Sequence, residues 1–177
     1  DQIALSYWRS FQTPITILRP FNTYGPRQSA RAVIPTIISQ ISSGSSQIKL
    51  GSLSPTRDFN YVSDTCSAFI ATSKCKEAIG KVINTCSNFE ISIGETVELI
   101  AEIMNTKIEI ISDQNRIRPK DSEVNRLFGD NTLLKALTGW EPIFGGSEGF
   151  RKGITLTAEW FNNPRNLSFY KTNIYSI

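Results

Sequence analysis

The 177-residue chain contains no histidine, and this absence excludes several kinds of catalytic site at once. Without histidine there can be no Ser-His-Asp triad, no Cys-His nucleophile pair and no histidine-ligated metal centre. The three cysteines, Cys66, Cys75 and Cys86, are odd in number and lack the CxxC spacing of a zinc site. They are typical of reduced thiols in a cytosolic protein, so the sequence predicts a cytoplasmic location and no bound metal.

Long apolar runs and dense blocks of like charge are also missing. The apolar runs are only a few residues long, which is too short for a membrane span. The formal net charge of +3 is small for this length. It argues against a nucleic-acid partner, although it would tolerate an anionic ligand. We therefore expect neither a nucleic acid nor a membrane as a partner.

Short β-branched runs alternate with amphipathic helical patterns, which favours an α/β fold. The pattern predicts strands over 15–18, 47–50, 59–62, 81–84 and 108–111, and helices over 1–11, 31–43, 64–76, 92–103, 130–139 and from Ser147 onward. Asp64 and Asp130 are predicted helix caps, and Ser92 with Glu95 predicts a capping box. Residues 22–27 are expected to form a turn, and the tail beyond Pro164 is expected to be loosely ordered.

Four segments occur in an order and spacing that carry a family signature. They read R-P-F-N-T-Y-G-P-R at 19–27, R-D-F-N-Y-V-S-D at 57–64, R-P-K-D-S-E-V at 118–124 and L-T-G-W-E-P at 137–142. Together they resemble the extended short-chain dehydrogenase/reductases that act on nucleotide sugars, the NAD-dependent epimerase/dehydratase family. Residues 22–35 are most similar to 4,6-dehydratases of nucleotide-linked N-acetylhexosamines, as in legionaminic-acid-type pathways.

The resemblance implies the C-terminal part of a Rossmann-like doubly wound fold together with the smaller nucleotide-sugar-binding domain. Residues 1–30 would be the last helix and strand of a truncated Rossmann domain. Residues 31–163 would be the substrate-binding region with returning Rossmann strands, and 164–177 a C-terminal tail. Because a helical pattern with Ile3, Tyr7 and Phe11 on one face is already in progress at the first residue, we expect a C-terminal fragment.

The implied reaction uses NAD, with NADP as the alternative, to oxidise C4 of the hexose before water is eliminated across C5 and C6. It requires a glycine-rich βα turn and a Tyr-x-x-x-Lys pair, and the sequence contains neither. The catalytic residues are therefore expected upstream of Asp1, and the chain is expected to be inactive alone. A 4-epimerase or decarboxylase, or a non-catalytic sugar-nucleotide binding module, stays open. The resemblance also implies a homodimer through long helices, one of which includes residues 1–11.

By resemblance, the predicted ligand is a nucleotide-diphosphate sugar. Arg57 and Arg118 would clamp its diphosphate, because planar guanidinium groups match phosphate oxygens bidentately. Surface ion pairs are the alternative for these two arginines. The other predicted contacts are Asn22, Arg31, Lys49 and Asp121 for the substrate, and Pro20, Asn22 and Tyr24 for the cofactor. Each of these residues also has a structural explanation. Arg31 would equally suit a solvated helix start, and Asp121 or Asn22 would suit a turn. Lys49 would suit an edge strand, and Pro20 and Tyr24 would suit a role in shaping the loop.

Overall fold

A computed structural model describes residues 1–117, 119 and 122–170 of the chain. Its strands are short, in keeping with the short β-branched runs of the sequence. They are β1 (Ile17–Pro20), β2 (Asn22–Tyr24), β3 (Gln47–Leu50), β4 (Thr56–Tyr61), β5 (Val82–Thr85), β6 (Glu90–Ser92), β7 (Glu109–Ser112) and β8 (Arg126–Leu127). The five predicted strands are all present, displaced by at most a few residues.

Parallel pairing dominates the sheets. β1 pairs with β5, β2 with β4, and β3 with β7, all in parallel, while β4 also pairs with β6 in antiparallel and with β8 in parallel. The prediction of a turn over 22–27 was wrong for its first half. Asn22, Thr23 and Tyr24 form β2 because Phe59, Asn60 and Tyr61 lie opposite them in β4.

Seven α-helices connect and cover these strands in the described part of the chain. They are α1 (Gln2–Phe11), α2 (Val33–Ser42), α3 (Val62–Ser73), α4 (Ile93–Ile103), α5 (Thr132–Thr138), α6 (Gly146–Asn162) and α7 (Pro164–Leu167). Short 3-10 turns lie at Lys76–Ala78 and Gln114–Arg116. Parallel strands alternating with helices confirm the predicted α/β class.

The main core lies where α2, α4 and α6 pack against each other and against β4. The predicted inward face of α6 is confirmed, because Phe150, Ile154, Ala158 and Phe161 are all buried. The predicted capping box is also confirmed. The backbone N–H of Glu95 donates to the Ser92 hydroxyl at 3.1 Å, and the Ser92 N–H donates to the Glu95 carboxylate at 2.9 Å.

The two predictions of an aspartate helix cap were wrong, because neither Asp64 nor Asp130 is the N-cap residue of its helix. Helix α3 begins at Val62, two residues before Asp64, and the buried Asp64 carboxylate accepts the backbone N–H of Phe144 at 2.8 Å. Burial raises the pKa of Asp64, and the backbone N–H groups of Phe144 and Ile143 partly offset that rise. At α5 the N-cap is Asn131, while Asp130 accepts the N–H of Thr132 at 2.9 Å.

The expectation of a loose tail was wrong for residues 164–170. Pro164 opens α7, and Tyr170 packs against Phe161 with ring centroids 4.7 Å apart. At the other end of the chain, α1 leaves Ile3, Tyr7 and Phe11 exposed. Among the described residues, no helix has both the length and the apolar character needed to cross a membrane.

Candidate functional site

A cleft of about 600 Å³ opens beside the carboxyl ends of β1 and β3. The ends of parallel strands are where ligands bind in α/β folds, because the loops that leave the strands diverge there. Its lining combines apolar walls with several polar side chains, including three arginines and one glutamate. The polar and charged members are Asn22, Thr23, Gln28, Arg31, Thr36, Ser52, Arg57, Arg116 and Glu123.

One side of the cleft is formed by the segment between β2 and α2, residues 25–32, which we call the Gln28 loop. Its backbone is left-handed at Gly25 and Arg27, with φ of 144° and 66°. A side chain at position 25 would collide with Val62, so glycine is required by both conformation and space. The loop delivers the first turn of α2 to the cleft, and no described side chain caps that helix. Uncapped N–H groups at a helix start attract anions.

Arg57 also lines the cleft and is held firmly. Its guanidinium donates to the backbone carbonyls of Thr56 at 2.8 Å and Val124 at 2.6 Å. It also donates to the Glu123 carboxylate at 3.0 Å, and both side chains of this ion pair are largely buried. The guanidinium is therefore fixed at the cleft wall, with an internal anion already beside it.

Arg116, another lining residue, repeats this arrangement. Its Nε donates to the Asp113 carboxylate at 3.1 Å, and its side chain is only 13% exposed. The backbone N–H of Asn115, with further help from Arg116 and Lys49, holds the pKa of Asp113 below its usual range. The carbonyl of Arg116 lies so close to Gly51 that any side chain at position 51 would overlap it. This contact places the end of β3 against the Arg116 segment.

The residue that follows Arg57 in β4, Asp58, has a buried carboxylate that accepts hydrogen bonds from neighbouring loops. Asp58 is fully buried, and its oxygens accept N–H groups from Ser87 at 2.8 Å, Asn88 at 3.1 Å and Gly129 at 3.3 Å, together with the Ser87 hydroxyl at 2.7 Å. Burial, followed by the charge of Asp58, raises the pKa of the neighbouring Cys86 thiol to about 12. Asp58 thus ties two backbone segments, at 87–88 and at 129, to β4, and it is not itself one of the residues that line the cleft.

The structure brings four of the predicted site residues to the cleft: Pro20, Asn22, Arg31 and Arg57. Lys49 lies on the exposed face of β3 and outside the lining. Arg118 and Asp121 lie outside the described residues. The first four therefore lie where a ligand could reach them, and the roles of all seven residues stay predictions.

Asp1 does not line the cleft. The catalytic residues are expected upstream of it. Its exposed carboxylate accepts a hydrogen bond from the Nε of Arg19 at 2.7 Å, and both side chains of this ion pair are accessible to solvent. Asp1 is the N-cap residue of α1, but its side chain makes no capping hydrogen bond. An exposed ion pair of this kind contributes about 0–1 kcal/mol, so Asp1 has a minor structural role. The location of the catalytic residues upstream of it stays a prediction.

Tyr24 lies in the core rather than in the cleft lining. It is 1% exposed, and its ring makes edge contacts with Phe59, Tyr61 and Phe150. A Cβ atom at Gly153 on α6 would overlap the Tyr24 hydroxyl, so the glycine allows the helix to rest directly on the ring. A direct cofactor contact by Tyr24 stays a prediction, and its position here supports a role in shaping the loop.

Several lining residues were not predicted as site residues from the sequence, among them Gln28, Arg116 and Glu123. Arg116 had a signal, because it lies two residues before Arg118 in the same basic segment, R-I-R-P. Gln28 follows the N-T-Y-G-P-R motif directly and could have been included with it. Glu123 had no signal of its own, because its importance comes from an ion pair with a residue 66 positions away.

Comparisons with known proteins agree with these features. GDP-6-deoxy-D-mannose reductase from Pseudomonas aeruginosa is 35% identical over 156 residues, covering 85% of this chain and 49% of that protein. Human dTDP-D-glucose 4,6-dehydratase is 31% identical over 166 residues, covering 92% of this chain and 47% of that protein. The solved structure of dTDP-glucose 4,6-dehydratase from Bacillus anthracis in complex with NAD superposes with a TM-score of 0.80 at 28% identity, covering 97% of this chain and 51% of that one.

The chain spans about half the length of each of these relatives. The structural likeness confirms the predicted Rossmann-like fold class, and the sequence likeness confirms the resemblance first seen in the four motifs. Residues 1–153 match the sequence model of a family described as GDP-mannose 4,6 dehydratase. Because that match extends over most of its residues, the chain belongs to the GDP-mannose 4,6 dehydratase family.

Proposed function

We propose that this chain is the substrate-binding C-terminal portion of an NAD-dependent nucleotide-sugar 4,6-dehydratase. The observation that carries the proposal is the cleft beside the ends of β1 and β3, where Arg31, Arg57 and Arg116 meet the uncapped start of α2. A diphosphate is the part of a nucleotide sugar that such a basic, partly apolar site would recognise. The family match and the relatives named for GDP- and dTDP-linked sugars support the same ligand class.

The site would hold the diphosphate with more than one guanidinium group. A hydrogen bond that involves a charged group contributes about 1.5–3 kcal/mol, roughly twice a neutral one. Arg57 is fixed by two backbone carbonyls, so little side-chain freedom remains to be lost when a ligand arrives. We assign Arg57 and Arg118 to the diphosphate, and place further polar contacts at Asn22, Arg31, Lys49 and Asp121.

The residues of this chain fit one edge of a nicotinamide cofactor. Pro20 and Asn22 line the cleft at the end of β1, where they would contact the cofactor, and Tyr24 would shape the loop from below. The sequence has no glycine-rich βα turn to cradle a pyrophosphate, so those contacts are assigned outside this chain. When bound, NAD supplies the hydride acceptor for oxidation at C4, and NADP stays the alternative.

This chain would contribute to the reaction by positioning. Anchoring the diphosphate orients the sugar ring. This raises the effective concentration of the sugar beside the cofactor and so favours the chemical step. The sequence has no Tyr-x-x-x-Lys pair, so we expect the isolated 177-residue chain to bind ligand without turning it over. The acid–base residues of the reaction are assigned to the part of the protein outside this chain, upstream of Asp1.

A second candidate is a nucleotide-sugar reductase, favoured by the 35% identity to GDP-6-deoxy-D-mannose reductase. Such an enzyme would use the same diphosphate grip and deliver a hydride to a keto sugar. A 4-epimerase or a decarboxylase would also share the grip. These reactions differ in the fate of the keto intermediate and therefore in residues that this chain does not contain.

We propose further that the protein is a cytoplasmic homodimer. The exposed side chains of Ile3, Tyr7 and Phe11 form an apolar stripe on α1 that a second copy would cover. The three cysteines are free, as expected in a reducing compartment. Replacing Phe11 with glutamate in the full-length protein should shift it toward monomer in sedimentation velocity. An unchanged dimer would remove α1 from the interface, and a monomeric wild type would contradict the dimer itself.

Ligand binding is tested most directly by calorimetry on the full-length protein with GDP-mannose, dTDP-glucose and UDP-N-acetylglucosamine. We expect one of them to bind, and Arg57→Ala and Arg118→Ala each to weaken binding by about tenfold or more, the equivalent of one charge-assisted hydrogen bond. Arg126→Ala is the matched control, because this exposed arginine pairs with Glu90 outside the cleft. Absence of binding to all three sugars would contradict the proposed function.

The reaction class needs a second measurement. Incubation of the full-length protein with NAD and the sugar that binds should yield a 4-keto-6-deoxy product in NMR spectra. A keto sugar consumed only in the presence of reduced cofactor would instead favour the reductase. Inversion at C4 without loss of water would favour the epimerase.

A further inference from the structure

Tyr170 connects the C-terminal segment to the cleft across almost the whole chain. Its hydroxyl donates a hydrogen bond to the backbone carbonyl of Gln28, 142 positions earlier in the chain, at 2.9 Å. Gln28 in turn donates from its side-chain amide to the carbonyl of Thr23 in β2 at 2.7 Å. The Gln28 loop is thus fixed from one side by β2 and from the other by the C-terminal segment. Tyr170 lies beyond residues 1–153, the part that matches the family.

The position of the Tyr170 hydroxyl is well defined. The ring packs against Phe161 and Trp160, with centroids 4.7 and 6.1 Å away. Helix α7 is tied to α6, because the side-chain amide of Asn166 donates to the carbonyl of Trp160 at 2.8 Å, and Asn163 accepts the N–H of Arg165 at 3.0 Å. Burial raises the pKa of Tyr170, so the phenol stays protonated and remains a donor at neutral pH.

The hydrogen bonds inside the Gln28 loop are short-range. The N–H of Gln28 reaches the carbonyl of Gly25 at 3.3 Å, and the N–H groups of Ala32 and Arg31 donate to the carbonyl and the hydroxyl of Ser29 at 3.0 and 3.3 Å. Two residues of the loop are in the left-handed region. Thr36 on α2 donates to the carbonyl of Ala30 at 2.9 Å and secures the far end of the loop. At the middle of the loop, the backbone carbonyl of Gln28 accepts the bond that arrives from Tyr170, outside the loop. Arg31 and the start of α2 follow directly and line the cleft.

We infer that Tyr170 is a positioning residue that holds the Gln28 loop and so sets the affinity of the cleft for the anionic part of a nucleotide sugar. The inference rests on the proposed function for its ligand and adds a determinant outside the family-matched residues. Among the described residues, the hydrogen bond and ring contacts of Tyr170 are with Gln28, Trp160 and Phe161 and not with a proposed ligand contact. It acts through the backbone of the loop that presents Arg31 and the helix start.

The loop can be tested without any ligand by hydrogen–deuterium exchange on the full-length protein. Tyr170→Phe keeps the ring packing and removes only the donor. We expect amides of residues 27–32 to exchange about threefold to tenfold faster, the equivalent of one neutral hydrogen bond. Ser168→Ala is the matched control, because it removes a hydroxyl of the same C-terminal segment that donates to the carbonyl of Arg165 at 2.8 Å and not to the loop. Unchanged exchange over 27–32 in Tyr170→Phe would overturn the inference.

The second arm measures function with whichever of GDP-mannose, dTDP-glucose or UDP-N-acetylglucosamine the wild type binds. Tyr170→Phe should raise Kd and KM about threefold to tenfold and leave kcat unchanged. The effect should shrink in an Arg31→Ala background, because part of it passes through Arg31. Faster loop exchange with unchanged affinity would overturn the positioning role. If the wild type binds no sugar, the proposed function and this affinity role both fail, while exchange still decides whether Tyr170 holds the loop.

Discussion

The arginines that line the cleft fall into two groups. Arg57 and Arg116 are largely buried, and each is paired with a carboxylate, from Glu123 and Asp113 respectively. Arg31 is exposed, and its side chain has no ion pair within the described residues. We call these the paired rim and the open rim.

This difference between the two rims implies two different contributions to binding, a preorganised contact geometry and a long-range attraction of anions. The paired rim holds its guanidinium groups in fixed places, so that binding there loses little side-chain entropy, but an incoming phosphate competes with a resident carboxylate. The open rim has an uncompensated charge and an uncapped helix start. It attracts anions over a distance, and that attraction is sensitive to salt. We therefore expect the paired rim to determine geometry and the open rim to assist capture.

The largest effect is expected from Asp58, which ties together the backbone behind the paired rim. Asp58→Asn replaces an acceptor oxygen with an N–H donor opposite backbone N–H groups that already point inward. The free energy of unfolding should fall by about 2–4 kcal/mol, because buried donors lose their acceptor. Urea denaturation measures the change. Asp130→Asn, at an exposed turn, should lose far less stability, and equal losses in the two variants would contradict the distinction.

The next largest effect should come from removing the charge of Glu123, which competes with a ligand phosphate for Arg57. Glu123→Gln keeps the shape of the side chain and removes the charge beside Arg57. Binding of the nucleotide sugar to the full-length protein should tighten by about tenfold, because the phosphate no longer competes with a charged partner. Calorimetry measures the affinity, with Glu90→Gln as the matched control outside the cleft. Weaker binding would show that Glu123 supports Arg57 in its bound position instead of competing.

A smaller effect is expected at the open rim. Arg31→Ala should weaken binding only about threefold to fivefold in dilute buffer, since an exposed charge is largely screened by water. In 1 M salt the Debye length falls to about 3 Å, so the difference between wild type and variant should vanish. Titrations at the two salt concentrations test this, with Arg57→Ala retaining a clear loss in both. An Arg31→Ala loss that survives high salt would assign Arg31 a direct, fixed contact.

The smallest effect concerns pH and Asp113. Its folded pKa is depressed, so its contribution to stability is present above the unfolded value of 3.8 and is lost as pH falls through the lower folded value. The difference in Tm between wild type and Asp113→Asn should be constant from about pH 5 to 7 and shrink below about pH 4. Thermal melts across this range measure it. A difference that persists at about pH 3 would mean that Asp113 acts through shape instead of charge.

Local sequence signals predicted the parts of the fold that depend on near neighbours. Ser92 and Glu95 are three residues apart, and the buried face of α6 repeats with helical period, so both were visible without the structure. Strand β2 was missed because N-T-Y-G-P has local turn character, and only pairing with β4 makes it a strand. Asp64 was assigned as a cap because its real partner, Phe144, lies 80 residues away.

The same distinction holds for the site. Arg57 and Asn22 could be predicted because they lie in motifs that recur in a family. The pairing of Arg57 with Glu123 could not, because that contact depends on how two distant segments come together in space. The contact between Tyr170 and Gln28 was hidden for the same reason.

The contact between Gly153 and Tyr24 restricts how this chain could be recombined with its relatives. Helix α6 rests on the Tyr24 ring only because position 153 has no side chain, and α7 with Tyr170 follows directly from α6. A chimera that took β2 from one protein and α6 from another would therefore pack correctly only if a tyrosine at position 24 were combined with a glycine at position 153. A bulkier residue at 153 would lift the C-terminal helices and displace the Gln28 loop with them, so these segments are expected to be exchangeable only as a unit.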